Sequence, residues 1–180
     1  DPYAVVSSIK IIVLLTLLTV APTILLTMTS FTRILIVFSF LRQAMGTQQT
    51  PANQILITLS LFMTFFIMYP VFSEVNEKAL KPYSDNKISQ EEFFAQASEP
   101  LKNFMLKHVR KKDLALFVKL SDNKKPQNAQ EIGFFTIVPA FIISELKTAF
   151  QMGFLIYLPF FVLDIVVSSV LMAMGKIGRA

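Results

Sequence analysis

The chain has 180 residues, of which 53% are hydrophobic, and its formal net charge is +5. A composition this apolar excludes an ordinary soluble domain, and the lack of cysteine excludes disulfides and thiolate metal sites. The basic residues do not gather into a single patch, so we expect no nucleic-acid partner.

Two apolar segments make up residues 1–75. No charge lies between Lys10 and Arg33, and none lies from Gln43 to Ser73. Each segment therefore provides the roughly 20 apolar residues that a membrane-spanning helix needs. Hydroxyl side chains near the end of the first segment indicate helix–helix contact, or threonines that bond back to their own helix.

Proline occurs within or at the edge of every apolar segment. Each proline removes a helical hydrogen bond, which predicts a kink or break at Pro22, Pro70, Pro139 and Pro159. Helices of this kind need partners along their length, so we expect a hairpin that pairs Val5–Gln43 with Ile55–Glu77.

Most of the charges lie in residues 76–133, which predict a soluble helical insert. The sequence SQEE at 89–92 fits a helix capping box, and Pro100 predicts that this helix ends or restarts there, with Ser98 as a new cap. His108 is the only histidine and lies among lysines and arginines, as expected of a solvated basic helix end. No catalytic or metal-binding set can be assembled around it, so we expect neither enzyme activity nor a cofactor.

The last segment, residues 134–180, is apolar but includes the stretch PAFIISELKTAFQMGF at 139–154. On a helix its polar residues share one arc of about 160°, namely Ser144, Glu145, Lys147, Thr148 and Gln151. A charge in hydrocarbon costs at least about 2.5–3.5 kcal/mol, so this polar arc must face protein or water. Two interpretations remain open: pairing inside the chain's own bundle, or a subunit-interface or pore-facing position, which we favour and extend to Asp164.

Four blocks of the sequence resemble a known family. They are MTSFTRILIVFSFLRQAMGT at 28–47, PANQILITLSLFMTFFIMYPV at 51–71, PAFIISELKTAFQMGF at 139–154 and DIVVSSVLMAMG at 164–175. Together they resemble the FliP family of the type III export gate, and TSFTR is closer to its flagellar branch than to its injectisome branch. The signature positions within the third block are Pro139, Ala140, Phe141, Leu146, Phe150 and Gly153.

The resemblance implies an all-α integral membrane protein of kinked helical hairpins, carried largely above the bilayer plane, with a small helical extramembrane insert. It implies a location in the bacterial inner membrane, in the flagellar basal body, with the insert in the periplasm. The expected partners are further copies in a pentameric ring, FliQ and FliR, other export-apparatus proteins and, transiently, unfolded flagellar proteins in transit.

The resemblance also implies that Glu145 pairs with a basic residue of a neighbouring subunit. The family continues past the LMAMG motif with a methionine-rich loop and a final apolar segment, whereas this sequence ends at KIGRA. We therefore expect the chain to be truncated after residue 175.

Two other function classes are weaker interpretations. A small-solute or ion transporter is compatible with broken helices, but no paired inverted halves are visible. An intramembrane hydrolase would use Glu145 or Asp164, but neither residue has a second catalytic group at a suitable spacing.

Overall fold

The computed structural model describes residues 2–47, 49–121 and 128–177. All regular elements in those ranges are helical, which confirms the predicted all-α class. The α-helices are α1 (Pro2–Met28), α2 (Phe31–Ala44), α3 (Asn53–Val75), α4 (Lys81–Ser84), α5 (Gln90–His108), α6 (Lys111–Leu120) and α7 (Phe134–Ile177). A π-helical turn, Asn76–Leu80, joins α3 to α4, and a 3₁₀ turn, Ala129–Glu131, precedes α7. Three stretches are long and apolar enough to cross a membrane: Ile11–Met28, Asn53–Ser84 and Phe134–Gly175.

The first apolar segment is interrupted at Thr29 and Ser30 and not at Pro22, because α1 continues through that proline. A kink at Pro22 stays a prediction. The Thr29 hydroxyl donates to the Leu25 carbonyl and accepts the Phe31 amide at 3.2 Å. A side chain that substitutes for backbone partners in this way favours a helix end. The other three prolines of the apolar segments also lie inside continuous helices.

The predicted hairpin is formed by α2 and α3 alone, because α1 packs on α7 and α2. The turn between α2 and α3 is described at residues 45–47 and 49–52, and Arg42 donates to the Asn53 side chain next to it at 2.6 Å. Its polar residues Thr47, Gln49 and Thr50 are exposed. Helix α2 also packs along α7 and so forms the centre of the bundle.

Within the insert, α5 begins with the predicted capping box, which is confirmed. The Glu92 amide donates to the Ser89 hydroxyl at 3.2 Å, and the Glu92 carboxylate accepts the Ser89 amide at 2.8 Å. The predicted interruption at Pro100 is wrong, since α5 is continuous and the Ser98 hydroxyl donates to the Ala95 carbonyl instead of capping a helix. His108 lies at the C-terminal end of α5, where its ring contacts Phe104.

The hydrophobic core joins the insert to the apolar segments. Its buried members come from α3, α5, the segment before α7 and α7 itself: Met68, Phe104, Met105, Ile132, Ile137 and Phe141. Leu114 and Val118 of α6 pack on the same cluster. The insert therefore shares its core with α3 and α7.

Helix α7 has 44 residues and is about 66 Å long at 1.5 Å per residue, roughly twice the hydrocarbon thickness of a bilayer. Residues 134–153, here called the upper half, contain all the buried positions found over residues 134–175. In residues 154–175, the lower half, nearly every side chain is exposed. One continuous helix thus has two different surroundings.

Candidate functional site

The polar arc of α7 lies between two helices of the same chain. Helix α2 contacts one edge of the arc through Arg33, and the start of α6 contacts the other edge through Arg110 and Asp113. The helical periodicity predicted that the five polar residues share a face, and the structure engages all five of them in side-chain hydrogen bonds.

Arg33 and Glu145 form a bidentate ion pair between α2 and α7. Arg33 Nε donates to Glu145 Oε2 at 2.7 Å, and Arg33 Nη2 donates to the second carboxylate oxygen. The Glu145 side chain is only 3% exposed, so it needs a cation at this place. The structure gives Glu145 this partner inside the chain, because α2 starts at Phe31, just after the Thr29–Ser30 break, and brings Arg33 to the upper half of α7. The expected pairing with a neighbouring subunit stays a prediction.

Asp113 is the second buried acid of the site and lies in the first turn of α6. Its carboxylate accepts Lys147 Nζ on one oxygen and the Ser144 hydroxyl on the other, the latter at 2.9 Å. The hydrogen bond from Lys147 lowers the pKa of Asp113 below its ordinary value, burial opposes this shift, and Ser144 and the charge of Arg110 add to it. Asp113 is therefore held as a carboxylate.

Arg110 lies just before α6 and reaches three residues of the arc. Its backbone amide donates to the Ser144 hydroxyl at 3.1 Å, and its guanidinium donates to the Thr148 hydroxyl, also at 3.1 Å, and to the Gln151 side chain. The buried Ser144 hydroxyl therefore accepts from Arg110 and donates to Asp113, so that both of its hydrogen-bonding roles are used.

The family-signature positions lie on both faces of the upper half, with Ala140 and Phe141 on the side of the polar arc and the other four on the opposite side. Ala140 and Phe141 are buried, Phe141 within the core, and Pro139 and Leu146 are half-buried. Phe150 makes an edge-to-face contact with Phe40 of α2, with ring centroids 5.7 Å apart. A methyl group added at Gly153 would collide with the Phe40 ring, so glycine allows α2 and α7 to approach closely here.

Asp164 lies apart from this site. It is exposed in the lower half of α7, between apolar neighbours that are also exposed, such as Leu163 and Ile165. Over residues 2–47, 49–121 and 128–177, no hydrogen bond or ion pair engages its side chain. The structure therefore does not join Asp164 to the polar arc.

The sequence assigned no role to Arg110 or Asp113, and it left open a pairing of Glu145 inside the chain's own bundle, with Lys147 or Arg33 as the partner. The sequence does contain a signal that Asp113 is buried. This residue lies four positions before Phe117 and so begins the apolar face of α6. An acid on that face predicts a buried cation or hydroxyl opposite it. The two threonine hydroxyls bond to backbone carbonyls of α1: Thr29, in the break, donates to the Leu25 carbonyl, and Thr32 of α2 donates across the break to the Leu26 carbonyl.

The site's chemistry is that of a satisfied polar contact between helices. Each buried charge has a partner, and within the described part of the chain no group of three histidine, cysteine or carboxylate side chains could hold a metal ion. The arrangement fixes how α2, α6 and α7 pack on one another.

Comparison with known proteins gives a consistent result. A family model described as "FliP family" matches residues 14–178. The flagellar biosynthetic protein FliP of Bacillus subtilis strain 168 is 57% identical over 175 residues, which cover 97% of this chain and 79% of that protein. The protein of the same name in Aquifex aeolicus strain VF5 is 48% identical, over 96% of this chain and 73% of its own. The Pectobacterium carotovorum protein is 49% identical over 93% of this chain and 65% of its own.

Proposed function

The chain belongs to the FliP family, and from this premise we infer that it is a subunit of the flagellar protein-export apparatus. Its role in that apparatus is structural and concerns transport: it helps unfolded flagellar subunits to cross the membrane. The observation that carries this role is the division of α7 into an upper half that the chain itself covers and a lower half with a bare apolar surface.

The contacts of α2 support a proposal for which part of α7 lies in the bilayer. The two helices run in the same direction, because Arg33 meets Glu145 and Phe40 meets Phe150 and Gly153. With this offset of about 112 residues, the end of α2 at Ala44 comes level with the region of Tyr157. The polar turn at 45–52 therefore lies beside the middle of α7.

An irregular, polar turn is excluded from lipid-exposed hydrocarbon, where each unsatisfied polar group costs several kcal/mol. If α7 crosses the bilayer, the crossing part must therefore begin on the C-terminal side of the level at which this turn lies. Residues 158–175 remain, about 27 Å of helix at 1.5 Å per residue, close to the hydrocarbon thickness of about 30 Å. We propose that these residues span the membrane and that the α2–α3 hairpin and the insert lie together on one side of it.

The bare apolar surfaces outside this span need protein partners. Exposed aromatic side chains of α3, such as Phe62, Phe66 and Tyr69, would lie above the bilayer in this arrangement. We propose that further copies of the chain in a pentameric ring, together with FliQ and FliR, cover them, and that the complex lies in the bacterial inner membrane with the insert in the periplasm. Within that ring we propose that the polar arc lies near a subunit interface or the pore, and that a cation of another polypeptide meets Asp164.

Sidedness labelling of single-cysteine variants tests this arrangement, because the chain has no cysteine of its own. We expect cysteines at Thr47, in the α2–α3 turn, and at Glu91, in the insert, to react with a membrane-impermeant maleimide from the same, periplasmic side. A hairpin that crosses the bilayer would place the two on opposite sides. That outcome would overturn the proposal, and labelling of both from the cytoplasm only would overturn the periplasmic placement.

A further inference from the structure

Two different elements hold the two edges of the polar arc. Glu145 lies at one edge and Lys147 at the other, about 160° apart around the axis of α7. Arg33 of α2 holds the first edge and Asp113 of α6 holds the second. A helix held at one edge can still roll about its axis, whereas attachment at both edges fixes its rotation.

We propose that Asp113 of the insert is a positioning residue for α7: it holds Lys147 and Ser144 and so fixes the rotation at which Glu145 faces Arg33. The inference rests on the proposed function, because it gives the insert a part in building the export subunit.

The burial of the four charges supports this assignment. Glu145 and Asp113 have side chains only 3% and 5% exposed, whereas the side chains of Arg33 and Lys147 are 24% and 53% exposed. Lys147 can therefore satisfy its charge in solvent if Asp113 is lost, and α7 is then free to roll so that Lys147 turns outward. Glu145 has no such alternative, so its pairing with Arg33 depends on the rotation that Asp113 maintains.

The contacts of α6 point the same way. Ten residues are too few for a stable isolated helix, so α6 depends on its neighbours. The helix it contacts most is α7, through Asp113, the core residues Leu114 and Val118, and the preceding Arg110. Arg110 and Asp113 together form hydrogen bonds with the four arc residues that are neighbours around the helix axis, starting from Lys147. The fifth, Glu145, pairs with Arg33 of α2. The insert therefore contacts one side of the arc, and α2 contacts the other.

A thiol reporter on α7 tests the inference. Ala149 is fully buried, so a cysteine there reacts slowly with maleimide as long as α7 keeps its rotation. In the complete chain in its membrane, we expect Asp113→Asn to raise the labelling rate of this cysteine roughly tenfold, the effect of losing one charge-assisted hydrogen bond. Asp113→Glu, which keeps the charge, should restore most of the protection.

Two controls separate positioning from general loss of structure. A cysteine at Met105, which is fully buried in the core shared by α3, α5 and α7, should stay protected in Asp113→Asn. Asp85→Asn removes an exposed partner of Lys87 from the same insert and should leave the Ala149 reporter unchanged. Unchanged labelling at Ala149 in Asp113→Asn would overturn the inference, and so would equal exposure of both reporters, which would mean that the insert had unfolded.

Swarming motility, measured on the same strains, addresses the proposed function separately. If labelling at Ala149 increases and motility is lost, both the positioning role and the function are supported. If labelling increases and motility is kept, the positioning role is still supported, and the need for the arc in export is refuted.

Discussion

The two halves of α7 are similar in apolar composition and different in surroundings. Both are apolar, both include a proline, and both carry acid side chains. In the upper half, Glu145 is buried against Arg33, and Phe141 is 1% exposed. In the lower half, Asp164 and large apolar side chains such as Phe161 are exposed. Apolar composition therefore does not reveal which half is covered by protein.

The difference shows what each half needs from its surroundings. The chain itself satisfies the polar and apolar groups of the upper half, which can therefore reach its final structure in the single subunit. The lower half can be covered only by lipid or by other subunits. Stability of the isolated subunit should depend on the upper half, and assembly should depend on the lower half.

The largest expected contrast is between two phenylalanines. Phe141→Ala should destabilise the subunit by about 3–5 kcal/mol, because it empties part of a packed core. Phe161→Ala, at a side chain 48% exposed, should change stability far less. Thermal unfolding of both variants in mild detergent, followed by circular dichroism, measures the two effects. Equal losses would mean that the lower half is packed within the subunit.

Two glycines of the same helix provide a matched second test. Gly153→Ala should cost about 1–3 kcal/mol, because the new methyl group would collide with Phe40 and force α2 and α7 apart. Gly175→Ala meets nothing within 4 Å, so the higher helix propensity of alanine should make it neutral or slightly stabilising. The same unfolding measurement decides, and a stable Gly153→Ala protein would disprove the close approach of these helices.

The contribution of Asp113 to stability should change with pH only under acid conditions. The folded-state pKa of Asp113 is lowered, so its contribution to stability is fully present above the unfolded value of about 3.9 and is lost as the pH falls through the folded value. The difference in unfolding midpoint between the unmodified chain and Asp113→Asn should therefore be constant from about pH 8 to pH 5 and shrink below about pH 4. A difference that changed near neutral pH would contradict this account of the carboxylate.

The smallest expected change in the isolated subunit comes from Asp164→Asn. Its exposed side chain has no partner within the residues that the structure describes, so stability in detergent should change by less than about 0.5 kcal/mol. If a cation of another polypeptide meets this acid, the yield of assembled rings on native gels should fall nevertheless. Loss of stability without loss of rings would reverse the roles assigned to the two halves.

The sequence predicted the local features of the fold well. The all-α class, the capping box at Ser89 and Glu92, and the shared face of the polar arc follow from periodicity and spacing within one helix. The break at Thr29 and Ser30 was missed because the nearby proline is the stronger sequence signal, although the threonine hydroxyl ends the helix.

The partners of the arc could not be predicted from the same evidence. Arg33 and Glu145 are 112 residues apart, and Asp113 and Lys147 are 34 apart. Helical periodicity describes which side chains share a face and carries no information on which distant face lies opposite. The expectation of a partner in a neighbouring subunit filled that gap by analogy. The structure shows two ion pairs inside the chain, and the partner in a neighbouring subunit stays a prediction.

A charge exchange between Arg33 and Glu145 tests the central claim most directly. Arg33→Glu and Glu145→Arg should each abolish motility, because each leaves like charges together in a buried place. Combined in one chain, the two substitutions should restore part of the motility and of the thermal stability. Carried on two different chains expressed in the same cell, they should restore neither, since each chain would still hold a like-charged pair. Rescue by the two separate chains, alongside rescue in the single chain, would show that the pair forms between subunits and would contradict the account.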